Sequence, residues 1–306
     1  MKLEADAPAD TLRYRAPDGT ELAYWVRGAF ETSRAPLVLT NGLTTTTSFW
    51  HYLEPRWLQH HRVLSWDLPG HGLSSPAQSP SSAQLSEQAE LIVRLMDEAH
   101  IERAVQVGWS TGCQVVLELY RRYPERCCAL VLLLGSAGRV LSTSTLPVPG
   151  VAIDWLVRNM PRPLFGGIAR AMAYASHAPL GQLAPRALGV IGSATTHADA
   201  ARITEHLLRI DTPTVQTMIA SAHAHSAWEM LGTIQVPVLI VAGDRDPFAP
   251  AATVGVEMHA RCPEAELVRL PEGTHTALFD HAGRIGDAVE DFLQRRVLAA
   301  GATVRA

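Results

Sequence analysis

The sequence predicts an α/β fold, a mostly parallel central sheet covered by helices on both faces. Two observations predict it. Short apolar runs of the length of fully buried strands recur along the chain, and the segments between them carry apolar residues at helical spacing. The chain is also large enough: 306 residues, 47% of them hydrophobic and 18% charged, can bury a sizeable core without disulfides or structural metals.

The elements follow in order. Between Thr11 and Val26 two short runs flank Asp18-Gly19, a dipeptide whose tolerance of positive φ suits a tight hairpin, so an antiparallel pair opens the fold. Buried strands are then expected at Pro36–Thr40, Arg62–Trp66, Ala104–Val107, Ala129–Leu134, Val238–Val241 and Glu266–Leu270, five of them rich in Val and Leu. Helical spacing is clearest over Leu85–Ala99, where Leu85, Ala89, Ile92, Leu95, Met96 and Ala99 share one face. From about Ala137 to Trp228 the alternation stops. Amphipathic segments broken by Pro147, Pro149, Pro161, Pro163, Pro179, Pro185 and Pro213 replace it, which reads as a helical insertion. The expected division is a core of residues 1–136 and 229–306 with an inserted helical unit at 137–228. That unit is locally basic, and a solvated helical face accounts for its arginines.

Charge and composition exclude several functions. A net charge of −4 leaves no overall basic footprint for nucleic acid. Lys2 is the only lysine, so a Schiff-base lysine, a phosphate-loop lysine or a Ser-Lys pair is hard to build. Cys113, Cys127, Cys128 and Cys262 lack C-x-x-C spacing and read as buried free thiols of a reducing compartment. The first ten residues carry acids and prolines in place of a secretory pattern, and no apolar run approaches the ~20 residues of a spanning helix, so a cytoplasmic protein without stable membrane insertion is expected.

Chemistry concentrates in three loops. Val105–Tyr123 runs from a buried strand through Gly108-Trp109-Ser110-Thr111-Gly112 into a helix. A serine on so sharp a strand-to-helix turn needs glycine two positions to either side, and the turn lifts its hydroxyl to the helix N-terminus. Serine is a weak nucleophile and needs a base, itself oriented by an acid. After Val238–Val241 comes Gly243-Asp244-Arg245-Asp246, and after Glu266–Leu270 comes Gly273-Thr274-His275. Ser110 as nucleophile, Asp246 as acid and His275 as base then fall in the chain order of strand-turn-helix serine hydrolases, with Asp244 a competitor for the acid. Acyl transfer also needs two oxyanion donors. The amide of Thr111 and that of Leu43, which follows the Asn41-Gly42 turn, are the expected pair. Trp109 and Asn41 are expected at the substrate.

These blocks, together with Asp67-Leu68-Pro69-Gly70-His71-Gly72-Leu73-Ser74 and Phe49-Trp50, resemble the α/β-hydrolase superfamily, in its compact group with a helical cap, over nearly all of residues 11–296. The resemblance implies an α/β-hydrolase fold with residues 137–228 as cap, Ser110, His275 and Asp246 as the triad, and no metal or organic cofactor. Two departures stand out. Asn41 occupies a position where members commonly have histidine, and Trp109 one where hydrolases of ring-cleavage products usually have asparagine. A serine nucleophile argues against dehalogenase and epoxide hydrolase chemistry. The expected activity is hydrolysis of a small to medium hydrophobic ester, the apolar Leu156, Met160, Leu164, Phe165, Ile168, Met172 and Ile191 either lining an acyl pocket or packing the cap. A lactone, thioester or perhydrolase reaction, or a ligand sensor with little turnover, fits the same residues.

Overall fold

The structure, a computed structural model, describes residues 8–30 and 32–298; Lys2 and most of the N-terminal segment read above lie outside them. Eight strands form one sheet in the order β1-β2-β4-β3-β5-β6-β7-β8. β1 (Leu12–Arg15) and β2 (Glu21–Gly28) are antiparallel about the Asp18-Gly19 turn, where Gly19 has φ +91° and the Asp18 carboxylate accepts the Thr20 amide at 3.0 Å. β2 runs antiparallel to β4 (Arg62–Trp66), and the remaining neighbours, β3 (Leu37–Thr40), β5 (Ala104–Trp109), β6 (Cys127–Leu133), β7 (Val238–Gly243) and β8 (Ala265–Leu270), are parallel.

Every residue of β3, β5, β6 and β7 is buried, because helices cover both faces and neither side chain set can turn to water. Alternate residues divide between two cores. Val38, Leu64, Leu130 and Leu132 join the face covered by the helices Leu85–Glu98 and Thr111–Arg122, while Leu37, Leu39, Val63 and Val131 join the face of Trp50, Trp57 and the helix Ala282–Phe292. Each such Leu or Val contributes about 1.5–3 kcal/mol by burial. β8, at the sheet edge, is only half-buried along most of its length and is correspondingly more polar.

Several strand ends differ from expectation: β3 starts one residue later, at Leu37, β8 one earlier, at Ala265, and β7 runs on to Gly243. β5 extends two residues past Val107 to Trp109, so the strand itself delivers the chain to Ser110. β6 starts at Cys127 and stops at Leu133, since Leu134 turns out of the strand with φ +51°.

Between β6 and β7 the described chain forms no strand, only an isolated bridge between Gly138 and Ser226. Ala227 N–H donates to Ala137 O (2.7 Å) and Arg139 N–H to His225 O (2.9 Å), so the segment leaves and re-enters the sheet layer at one clasp. Its helices include Gly150–Asn159, Arg162–His177, His197–Arg209 and Thr212–Ala224. Proline falls in the first turn of Arg162–His177 and of Thr212–Ala224, where no intrahelical N–H is needed, and Asp211 caps the latter by accepting the Thr214 amide. Among the described residues no helix is long and apolar enough to cross a membrane, and all four cysteines are buried and unpaired.

Candidate active site

The site sits at the carboxyl ends of β3, β5, β7 and β8, where an open parallel sheet leaves its strand-to-helix loops free. Ser110 joins β5 to the helix Thr111–Arg122 with φ +55° and ψ −121°. That turn demands its glycines: a Cβ on Gly108 would stand 2.5 Å from the Gly112 carbonyl oxygen, and one on Gly112 would collide with the Thr40 carbonyl oxygen of β3. A Cβ on Gly42 would lie 2.9 Å from the Ser110 Cβ, so Gly42 lets the loop after β3 close on the serine.

Three residues distant in the chain meet here. The Ser110 hydroxyl lies 2.9 Å from His275 Nε2, and His275 Nδ1 lies 2.9 Å from Asp246 Oδ2 and 3.1 Å from its Oδ1. An Nδ1–H donated to the carboxylate leaves the Nε2 lone pair free to accept the serine proton. Asp246 is buried, and its Oδ1 also accepts the amides of Phe248 (2.8 Å) and Ala249 (3.2 Å), so the carboxylate cannot swing away from the imidazole. Phe248 stands edge-on to the His275 ring at 4.7 Å, and the His275 amide donates to Gly189 O of the inserted segment. Asp244, the rival acid, points elsewhere. Its Oδ1 accepts both Nη2 (2.7 Å) and Nε (3.0 Å) of Arg269.

Leu43 and Thr111 approach the serine from the β3 and β5 loops. Thr111 is the first residue of its helix, where the amide has no intrahelical acceptor, and the Leu43 amide makes no hydrogen bond among the described residues. Both amides thus lack an acceptor among the described residues.

The two residues expected at the substrate are placed differently. Asn41 is fully buried with both ends of its amide occupied: Nδ2 donates to Trp66 O (2.8 Å) and Oδ1 accepts from Trp50 Nε1 (2.6 Å). It ties the end of β3 to β4 and has no face left for a ligand. Trp109 is 2% exposed, its ring packed among Phe49, Trp50, Phe279 and His275 at centroid distances of 5.8–6.4 Å. It forms the wall behind the imidazole. Of the apolar residues expected either to line an acyl pocket or to pack the inserted segment, Leu156, Leu164, Ile168 and Met172 are exposed, the last by 67%, whereas Ile191 is buried.

Sequence reasoning gave no role to Asp67, His71 and His206, although the first two stand inside a block it singled out. Asp67 accepts the amides of Thr47 and Leu73, each at 2.9 Å, and Gly72 at φ +51° leaves the space its carboxylate fills. His71 and His206, the latter from the helix His197–Arg209, lie with ring centroids 5.6 Å apart. Burial pushes the Asp67 carboxyl up to about 6 and holds His71 down at about 4. Burial, reinforced by His71 and Arg209, pushes His206 down to about 3.

These shifts set a pH dependence of stability. Both histidines stay neutral in the folded chain at pH values where the unfolded chain, with histidines near 6.5, takes up protons. Their contribution is present above pH 6.5 and is lost as pH falls toward 4 and 3. Asp67, raised, acts in the opposite sense between about 6 and its ordinary value near 3.9. The protein is expected to melt at a lower temperature at pH 5 than at pH 7, and His206→Leu to show a smaller difference. Thermal unfolding of both proteins at the two pH values checks this; equal differences would contradict it.

Comparison with known proteins agrees with this architecture. A model of the alpha/beta hydrolase family matches residues 37–288. The chain is 28% identical over 309 residues, covering 95% of itself and 73% of the relative, to a dihydrolipoyllysine-residue acetyltransferase component of an acetoin cleaving system from Pseudomonas putida. It is 28% identical over 251 residues to a pimeloyl-[acyl-carrier protein] methyl ester esterase from Neisseria meningitidis, covering 79% of itself and 71% of that protein. Among solved structures, a hydrolase from Pseudomonas aeruginosa superposes with a TM-score of 0.74 at 26% identity, over 94% of this chain and 99% of its own. With a matching family model over most of its length, the chain belongs to the alpha/beta hydrolase family.

Proposed function

We propose that the protein is a serine hydrolase that cleaves a carboxylic ester with a small to medium hydrophobic acyl portion, through an acyl-enzyme on Ser110. The observation that carries the reading is the unbroken relay from Ser110 Oγ through His275 to a buried, amide-held Asp246. His275 Nε2 takes the hydroxyl proton as Oγ attacks the ester carbonyl carbon. The carbonyl oxygen becomes an oxyanion facing the Leu43 and Thr111 amides, each such donor being worth about 3–4 kcal/mol in the transition state. The imidazolium, stabilised by Asp246, then protonates the departing alkoxide. Water enters by the same route in reverse: His275 removes its proton, the hydroxide attacks the acyl carbon, and Ser110 leaves with the proton returned.

Every step is carried by side chains and backbone amides of the chain, so the reading calls for no metal or organic cofactor. Residues 137–228 serve as the cap and residues 1–136 and 229–306 as the core; the contact of the Gly189 carbonyl with the His275 amide brings the cap to the catalytic loop. Similarity to a methyl ester esterase supports ester chemistry. The acidic overall charge speaks against nucleic acid as a partner, and the four buried unpaired thiols suit a reducing, cytoplasmic compartment.

A steady-state series on p-nitrophenyl esters of increasing acyl length tests the reading. Saturable turnover with an optimum at short to medium chains is the expected result. Stoichiometric labelling of Ser110 by a phosphonate with negligible turnover on every ester would contradict it and move the assignment to lactones, thioesters or a ligand sensor.

A further inference from the structure

The loop after β4, Asp67–Ser74, contributes none of the three relay residues, yet it grips the loop after β3 at two backbone amides. Asp67 takes the Thr47 amide, and His71 Nε2 takes the Thr44 amide at 3.1 Å. Thr44 needs holding. Its φ is +62°, the left-handed region that a β-branched residue disfavours. We infer that His71 is the positioning residue of the oxyanion loop: by accepting the Thr44 amide, its unprotonated Nε2 fixes the peptide plane that follows Leu43 and so the aim of the Leu43 N–H.

The geometry on both sides of Leu43 supports this. The Gly42–Leu43 peptide is held at its carbonyl, which accepts the Thr45 hydroxyl at 2.8 Å. In a trans peptide the N–H points opposite to the C=O, so the Leu43 amide is turned away from Thr45. The Leu43–Thr44 peptide is held at both ends, its carbonyl by the Thr44 hydroxyl (2.6 Å) and its N–H by His71. His71 is itself fixed. Its Nδ1 lies 2.9 Å from Pro69 O, a carbonyl that can only accept, so the proton resides on Nδ1 and the lone pair on Nε2. The ring is buried, faces His206 from the inserted segment, and is held down at about 4, so it remains an acceptor throughout the neutral range.

The inference rests on Leu43 being an oxyanion donor in the proposed reaction, and the test separates the two. Turnover of the best p-nitrophenyl ester is compared for wild type, Ser110→Ala, His71→Phe and His71→Gln. The Phe ring fills the space without an acceptor, whereas the Gln Oε1 can reach the Thr44 amide. His71→Phe is expected to lower kcat by about 10–100-fold, the scale of a misaimed catalytic group, with KM within about threefold. Phosphonate labelling of Ser110 should slow in parallel, and His71→Gln should recover most of the rate. Wild-type kcat in folded His71→Phe would overturn the inference, as would a Gln variant as impaired as the Phe variant with both melting like wild type. Should His71→Phe not fold, NMR of the wild type with ¹⁵N-labelled histidine decides: a proton on His71 Nδ1 with bare Nε2 is expected, and a proton on Nε2 overturns it. Full turnover in Ser110→Ala would instead fail the catalytic reading, and this inference with it.

Discussion

Ser110→Ala is expected to lower kcat on the preferred ester by about 10⁵–10⁶-fold while leaving KM and the melting temperature close to wild type. In the proposed mechanism the size follows from the loss of the atom that forms the covalent intermediate. What remains, the Leu43 and Thr111 amides and an imidazole without its nucleophile, supports about 10³–10⁴-fold over water in the best-studied triads. The substitution removes one oxygen from a half-buried position whose φ of +55° alanine accepts as readily as serine, so the scaffold should be undisturbed. Initial rates at saturating ester, with thermal melts alongside, check both halves. A residual rate within tenfold of wild type would remove Ser110 from the chemistry.

The second large effect separates two neighbouring acids. Asp246→Asn is expected to cost about 10⁴-fold in kcat, because an amide that turns its NH2 toward His275 Nδ1 favours the wrong imidazole tautomer and cannot stabilise the imidazolium. Its oxygen can still accept the Phe248 amide, so folding should survive. Asp244→Asn removes half of an ion pair with Arg269, whose side chain is 47% exposed. Such a pair is worth about 0–1 kcal/mol of stability, and kcat should stay within about twofold. Rates for the two variants on one ester decide the matter; the reverse order would transfer the orienting role to Asp244.

The parts of this molecule legible in its sequence are those governed by a single local rule. Central strands such as Val238–Gly243 announce themselves because burial on both faces leaves no room for polar alternation, and Asp18-Gly19 because few residues tolerate its turn. The three relay positions were legible as loop residues following strands, but their convergence within hydrogen-bond distance is a property of strand order, which brings β5, β6, β7 and β8 side by side. Illegible features depend on partners far along the chain. Asn41 reads as a turn residue, and only the approach of Trp50 and the Trp66 carbonyl makes it a buried tie. His71 sits in a plain motif, yet its task is visible only once the Thr44 amide is seen against it. The exposure of Leu164, Ile168 and Met172 could not be read from helical spacing, which identifies a face but not what that face meets.

The most direct test of the central claim is to trap the intermediate itself. Wild-type protein mixed with a slowly deacylated p-nitrophenyl ester, quenched in acid within milliseconds and analysed by intact-mass and peptide-mapping spectrometry, should carry one acyl group. It should lie on the peptide containing Ser110 and form at the rate of the p-nitrophenol burst. An acyl group on another residue, or steady ester turnover with no burst and no adduct at any time, would contradict the account.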